Sequence, residues 1–136
     1  MSDLTSVDRK IYRNLTLSQL IGYRLPAAGV LSILHRISGA LLFLFLPFLL
    51  YLFRKSLTSE LSFTVFRSVV SHWYVKVVLL VLAWAFLHHF VAGVRYLVMD
   101  LHYGLDKETA RNTSFVVFAI SLILALIVAL KLFGAF

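Results

Sequence analysis

The residue best placed to do chemistry in this chain is a histidine in an inhospitable setting. His89 lies within Val77-Val-Leu-Leu-Val-Leu-Ala-Trp-Ala-Phe-Leu-His-His-Phe-Val-Ala-Gly-Val94, followed by Arg95 and, a turn and a half further on, Asp100. Burying an imidazole in hydrocarbon without a partner costs roughly 4–8 kcal/mol on alkane scales. Ionisable groups inside membrane spans are therefore functional suspects. A metal is the simplest partner for a neutral imidazole there, and haem is the common membrane-embedded metal centre. The competing reading is a histidine hydrogen-bonded across a helix interface. A second polar group, Ser32, His35, Arg36 and Ser38, stands early in another apolar run.

Elements that could position these groups follow from composition. The chain has 136 residues, 61% of them hydrophobic. That points to an all-α integral membrane protein, long enough for three spans of about 20 residues and no separate soluble catalytic domain. We treat it as one membrane-anchor domain. The spans are expected at about residues 27–53, 73–101 and 113–133, after an N-terminal segment at 1–26. Leu15, Leu17, Leu20 and Ile21 could form one side of a short interfacial helix, or belong to a polar tail. Pro26 suits the first turn of a helix, and Pro47 should kink span one. Arg54 to His72 reads as a loop, Trp73 and Tyr74 as interfacial anchors. His102 to Asn112 reads as a short charged loop, and span three as uniformly apolar apart from Lys131. The first apolar run is too long for a signal-peptide core, so no N-terminal cleavage is expected.

The net charge of +7 is explained by basic residues flanking apolar runs. Lipid headgroups and membrane orientation account for it, and no nucleic-acid partner is expected. Arg9, Lys10, Arg13, Arg24, Arg36, Arg95, Lys107 and Arg111 on one side outnumber Arg54, Lys55, Arg67, Lys76 and Lys131 on the other. This bias places the N-terminus inside and the C-terminus outside. The chain has no cysteine, which excludes disulfides, Cys-ligated clusters and C-x-x-C-H haem attachment. Any haem is held non-covalently.

This orientation brings both polar clusters to one membrane side. Ser32, His35 and Arg36 share a helical face. His89, Gly93, Tyr96 and Asp100 form another stripe, on which Gly93 removes bulk where a macrocycle or helix could approach. His88 is about 100° around the helix and should pack or bond elsewhere. His72 and His102, at span ends, read as solvated. Arg36 and Arg95 could snorkel to headgroups; Arg95, off the His89 face, is assigned to a partner subunit or a propionate. Asp100 falls near the inner headgroups and could pair with an arginine.

Two motifs go further. Ser32-Ile-Leu-His35-Arg36-Ile-Ser38-Gly39 and His89-Phe-Val-Ala-Gly93-Val-Arg95-Tyr96-Leu-Val-Met-Asp100 resemble the cytochrome b556 subunit family of succinate dehydrogenase. That family's patterns are S-x-x-H-R-x-S-G and H-x-x-x-G-x-R-H-x-x-x-D. The similarity covers about Tyr23 to Tyr103 and the three-span layout. It implies one of two small anchors holding a flavoprotein and an iron–sulfur subunit of respiratory complex II at the cytoplasmic face of a bacterial inner membrane, with the C-terminus periplasmic. It implies that His89 is an axial ligand to the iron of haem b, the second ligand coming from the other anchor. His35 and Arg36 would stand near the haem propionates; Ser32, Ile33 and Arg36 would contact ubiquinone. The chain departs from the family at Tyr96, where the family has histidine. A tyrosine keeps a hydroxyl and loses an imidazole there.

The expectation is therefore a membrane-anchoring cytochrome b subunit of a succinate:quinone oxidoreductase, without activity alone. Dicarboxylate chemistry needs a flavin and charged groups in water, whereas quinone is lipid-soluble and is met where membrane and redox protein join. Rival readings are a haem-free structural anchor, the equivalent anchor of a fumarate reductase, and a small transporter using His88, His89 and Asp100.

Overall fold

The computed structural model describes Gly22 and residues 25–134. The expected interfacial helix around Leu15 to Ile21, and the basic residues Arg9, Lys10, Arg13 and Arg24, lie outside the described residues. Four helices follow in order: α1 (Ala27–Leu57), α2 (Glu60–Ser71), α3 (Trp73–Asp100) and α4 (Lys107–Leu132). Three of them, α1, α3 and α4, are long and apolar enough to cross a membrane. The protein is an all-α integral membrane protein.

Pro26 stands just outside α1 in extended conformation, as its N-cap, and its carbonyl accepts the first main-chain bonds, from Gly29 and Val30. The helix then runs through Pro47 for 31 residues, roughly 46 Å at 1.5 Å per residue. That exceeds the hydrocarbon thickness of about 30 Å, so α1 carries Arg54 and Lys55 in its last turn beyond the apolar slab.

The segment read as a loop from Arg54 to His72 is largely helical. Ser59 caps α2 reciprocally with Ser62: Ser62 N–H donates to Ser59 Oγ at 3.2 Å and Ser59 N–H to Ser62 Oγ at 2.9 Å. A capping box ordinarily has Glu or Gln at the third position, so serine hid this start. Ser62 Oγ also donates to Lys55 O at 2.9 Å, tying α2 to the end of α1. His72 alone separates α2 from α3, capping the end of one and the start of the other.

The α3–α4 turn places His102 at φ 66° and Gly104 at φ 70°, the left-handed region that only glycine adopts freely. At Gly104 a Cβ would also meet Thr109 Cγ2 at 3.2 Å. The third span starts at Lys107, before the expected Thr113, because Asp106 caps it: its Oδ1 accepts from Thr109 N–H at 2.9 Å. Hydropathy registers only the apolar part of that helix, not its charged first turns.

The middle span, α3, packs against α4 and α1, with the α3–α4 seam the more extensive. Small residues line that seam: Ala85 and Ala92 on α3 with Ser114, Ser121 and Ala125 on α4 are all buried. In lipid, where apolar burial gives no drive to associate, close backbone approach through small side chains supplies the packing. Leu31, Ala92 and Val117 join the three spans in one core. By contrast Phe43, Leu44 and Phe53 on α1 remain exposed in the chain by itself.

Candidate functional site

The α1–α3 contact brings the two motifs together. The His35 and His89 rings stack with centroids 4.1 Å apart and an interplanar angle of 8°. His89 Nδ1 lies 3.0 Å from the His35 carbonyl oxygen and 3.3 Å from Ser38 Oγ. The Ser38 hydroxyl donates to the same carbonyl at 2.8 Å. A carbonyl only accepts, and the serine proton is already committed to it, so the shared proton must be on His89 Nδ1. Nδ1–H thus donates to the main chain and to Ser38 Oγ. A neutral imidazole held this way has its lone pair on Nε2, and no described residue hydrogen-bonds to that nitrogen. This is the outer-shell arrangement that orients a metal-ligating histidine. Among the described residues no three His, Cys, Asp or Glu side chains converge.

Room for the ring comes from a glycine on α1. A Cβ on Gly39 would lie 2.8 Å from His89 Cε1 and 3.2 Å from Nδ1. A Cβ on Gly93 would meet only His35 Nε2, at an ordinary 3.7 Å. The close approach to the His89 ring is thus made at Gly39 on α1, a glycine to which the sequence reading gave no task. Tyr96 lies on the other side of His35, ring centroids 5.1 Å apart at 54°. His35 Nε2 and the Tyr96 hydroxyl are both buried without a hydrogen-bond partner.

Arg95 also differs from its expected role. It is 8% exposed and is satisfied within the chain: Nε donates to Thr113 Oγ1 at 2.9 Å and Nη2 to Ala110 O at 3.0 Å. The assignment of Arg95 to a partner or a propionate gives way to an α3–α4 clasp. The reason is angular: Arg95 is six residues from His89 and leaves α3 on the α4 side. His88 does go elsewhere, as its position around the helix implied. It is fully buried, bonded through Nδ1 to Ser121 Oγ at 3.3 Å and stacked between Trp84 and Phe118 at 5.3 and 5.9 Å. Span three is therefore not uniformly apolar in function. Ser114 and Ser121, seven positions apart, mark its α3-facing stripe, a signal present in the sequence. Asp100, His72 and His102 are exposed at helix ends.

Ser32 is half-buried, while Ile33 and Arg36 are exposed on α1. Ser32 and Arg36 stand one turn apart, beside the His35 that meets His89. Neither hydrogen-bonds to a described residue. Sequence reasoning had placed Ser38 in the cluster without a task; its position three residues beyond His35, on the same face, was the available signal.

The family model described as "Succinate dehydrogenase/Fumarate reductase transmembrane subunit" matches residues 7–128. The chain belongs to this family. Both motifs, the first two spans and all but the last four residues of the third fall within the match. The chain is 34% identical over 105 residues to the succinate dehydrogenase cytochrome b556 subunit of Coxiella burnetii, covering 76% of this chain and 84% of that relative. It is 33% identical over 111 residues to the subunit of the same name from Paracoccus denitrificans, with 82% and 85% covered. To the succinate dehydrogenase cytochrome b560 subunit of Reclinomonas americana it is 31% identical over 129 residues, with 90% and 85% covered. The resemblance drawn from the two motifs is thus shown at the level of the family, and the chain is a transmembrane subunit of that class.

Proposed function

We propose that this chain is the cytochrome b membrane anchor of a succinate:quinone oxidoreductase in a bacterial inner membrane, with His89 an axial ligand of haem b. The observation that carries the proposal is the commitment of His89 Nδ1–H to the main chain at 3.0 Å. It leaves Nε2 as a fixed lone-pair donor on a half-buried ring. With no cluster of three such side chains among the described residues, His89 would suit haem, which brings ligands of its own to iron, better than a bare ion. A histidine of a second anchor subunit would complete the protein's hold on the haem iron. An iron–sulfur subunit and a flavoprotein subunit complete the complex on the cytoplasmic side, where the positive-inside bias puts the N-terminus; the C-terminus is periplasmic.

Bound haem supplies reversible one-electron chemistry at iron, tuned by axial ligand and burial. The work of this chain's residues is positional and electrostatic. His89 presents Nε2, and its stack on His35 restricts ring rotation. His35, stacked on His89, and Arg36, exposed one position further along α1, are the groups for the propionates. Ser32 Oγ–H is suited to donate to a ubiquinone carbonyl, the Arg36 guanidinium to oppose negative charge as the headgroup is reduced, and Ile33 to form apolar wall. The exposure of Ile33 and Arg36 leaves them available at the surface of α1.

Two experiments test this. In the complex purified from a His89→Ala variant, the reduced b-type spectrum should disappear. Unchanged haem content rules out the ligand assignment and leaves a haem-free anchor. Ser32→Ala and Arg36→Leu should each slow quinone reduction at least severalfold while reduction of a soluble artificial acceptor by succinate is preserved. Equal loss in both assays would assign these residues to assembly.

A further inference from the structure

We propose that Gly39 is the positioning residue for His89: its missing side chain lets the imidazole cross α1 at the depth where the His35 carbonyl and Ser38 hydroxyl hold Nδ1–H. This rests on the reading of His89 as a haem ligand and adds the means by which the ring is placed.

Three observations carry the inference. The ring passes so near α1 that a Cβ at Gly39 would stand 2.8 Å from Cε1 and 3.2 Å from Nδ1, the first closer than real Cβ atoms come. Retreat is blocked on one face, because His35 lies parallel to the ring at 4.1 Å. Retreat along the ring plane lengthens the 3.0 Å bond to the His35 carbonyl and the 3.3 Å contact with Ser38 Oγ. An added methyl therefore displaces the imidazole and, with it, the direction of the Nε2 lone pair. Ligand direction matters because a nitrogen that is to hold a haem iron must keep its lone pair aimed at one place. Gly29, earlier on the same helix and outside the site, provides the internal control. Its Cβ would make only ordinary contacts, 3.5 Å from Pro26 Cδ and 3.7 Å from Leu25 Cδ2.

The test is a mutant cycle on the whole purified complex, reading haem per flavin, the low-spin ferric g values and the thermal midpoint. Gly39→Ala should move the g values and weaken haem retention, about 10–100-fold by analogy with loss of an outer-shell partner. Gly29→Ala should leave all three readings at wild-type values. In a His89→Ala background, where no imidazole remains to be struck, Gly39→Ala should cause no further loss of assembly or thermal stability. Wild-type spectrum and haem content in Gly39→Ala overturn the proposal. So does an equal stability loss from Gly39→Ala with and without His89, which would make Gly39 a helix-packing glycine. Should Gly39→Ala alone prevent assembly, the double variant decides: recovery by His89→Ala supports the clash, and continued failure overturns it. If His89→Ala itself keeps its haem spectrum, the ligand reading fails first. If His89→Ala loses haem while Gly39→Ala does not, only the positioning inference fails.

Discussion

His88 and His89 are neighbours in sequence and opposites in surroundings. Both are held by Nδ1 to an oxygen that cannot spare a proton: Ser121 Oγ already donates to Phe118 O at 3.1 Å, and the His35 carbonyl has none to give. Both therefore have a lone pair on Nε2. For His88 that nitrogen is sealed in the protein without a partner, in a ring stacked between Trp84 and Phe118. His89 is only half-buried, on the α1 side of α3. One residue of helical rotation, about 100°, separates an imidazole used for packing from one able to hold a ligand. Chemical identity does not distinguish them; the neighbouring helix does.

The sharpest way to break this contrast is to truncate each ring in turn. His89→Ala should abolish haem binding, whereas His88→Ala should retain haem by pyridine haemochrome and lower the stability of the assembled complex by about 2–4 kcal/mol, the cost of a large-to-small change in a packed seam. Loss of haem in both would erase the distinction. His88→Phe should be milder. It keeps the stack and removes the orphaned Nε2 while Ser121 retains its bond to Phe118 O, so stability should stay within about 1 kcal/mol of wild type in a thermal or denaturant assay. The smallest effect concerns the water end of the same seam. The Thr109 hydroxyl and then its main-chain N–H hold the Asp106 carboxyl below its ordinary value of 3.8. A carboxyl lowered on folding contributes stability that is present above its unfolded value and lost as pH falls through the folded one. Amide protection at Thr109 should drop with acidification below that range, with the His89 side unaffected. Asp106→Asn should remove the pH dependence.

Much of this molecule was legible in advance, for identifiable reasons. Charge and interfacial aromatics interrupt the apolar runs near the end of α1 and at the start of α3, so Arg54 falls in the last turn of the one and Trp73 opens the other. The start of α4 and the whole of α2 were not visible to hydropathy, because Asp106 and Ser59 begin helices by hydrogen bonding and not by apolar content. At the site, types and spacing indicated His89 and His35, since a buried imidazole demands a partner whatever the fold. The separate tasks of Gly39 and Gly93 were hidden. Both stand one turn from a histidine, and only the distance between helices says which is pressed. Arg95 was misread for the same reason: a buried guanidinium advertises the need for acceptors but not their direction, and Thr113 and Ala110 were within its own chain.

One consequence follows from the kind of oxygen that anchors His89. A peptide carbonyl survives every substitution at its own position, so replacing residue 35 strips away an aromatic neighbour yet leaves the proton on the same nitrogen of His89. His35→Leu thus separates duties that a side-chain anchor would have fused: the proton stays on Nδ1, while the freedom of the ring to turn is released and the imidazole proposed for the propionates is lost.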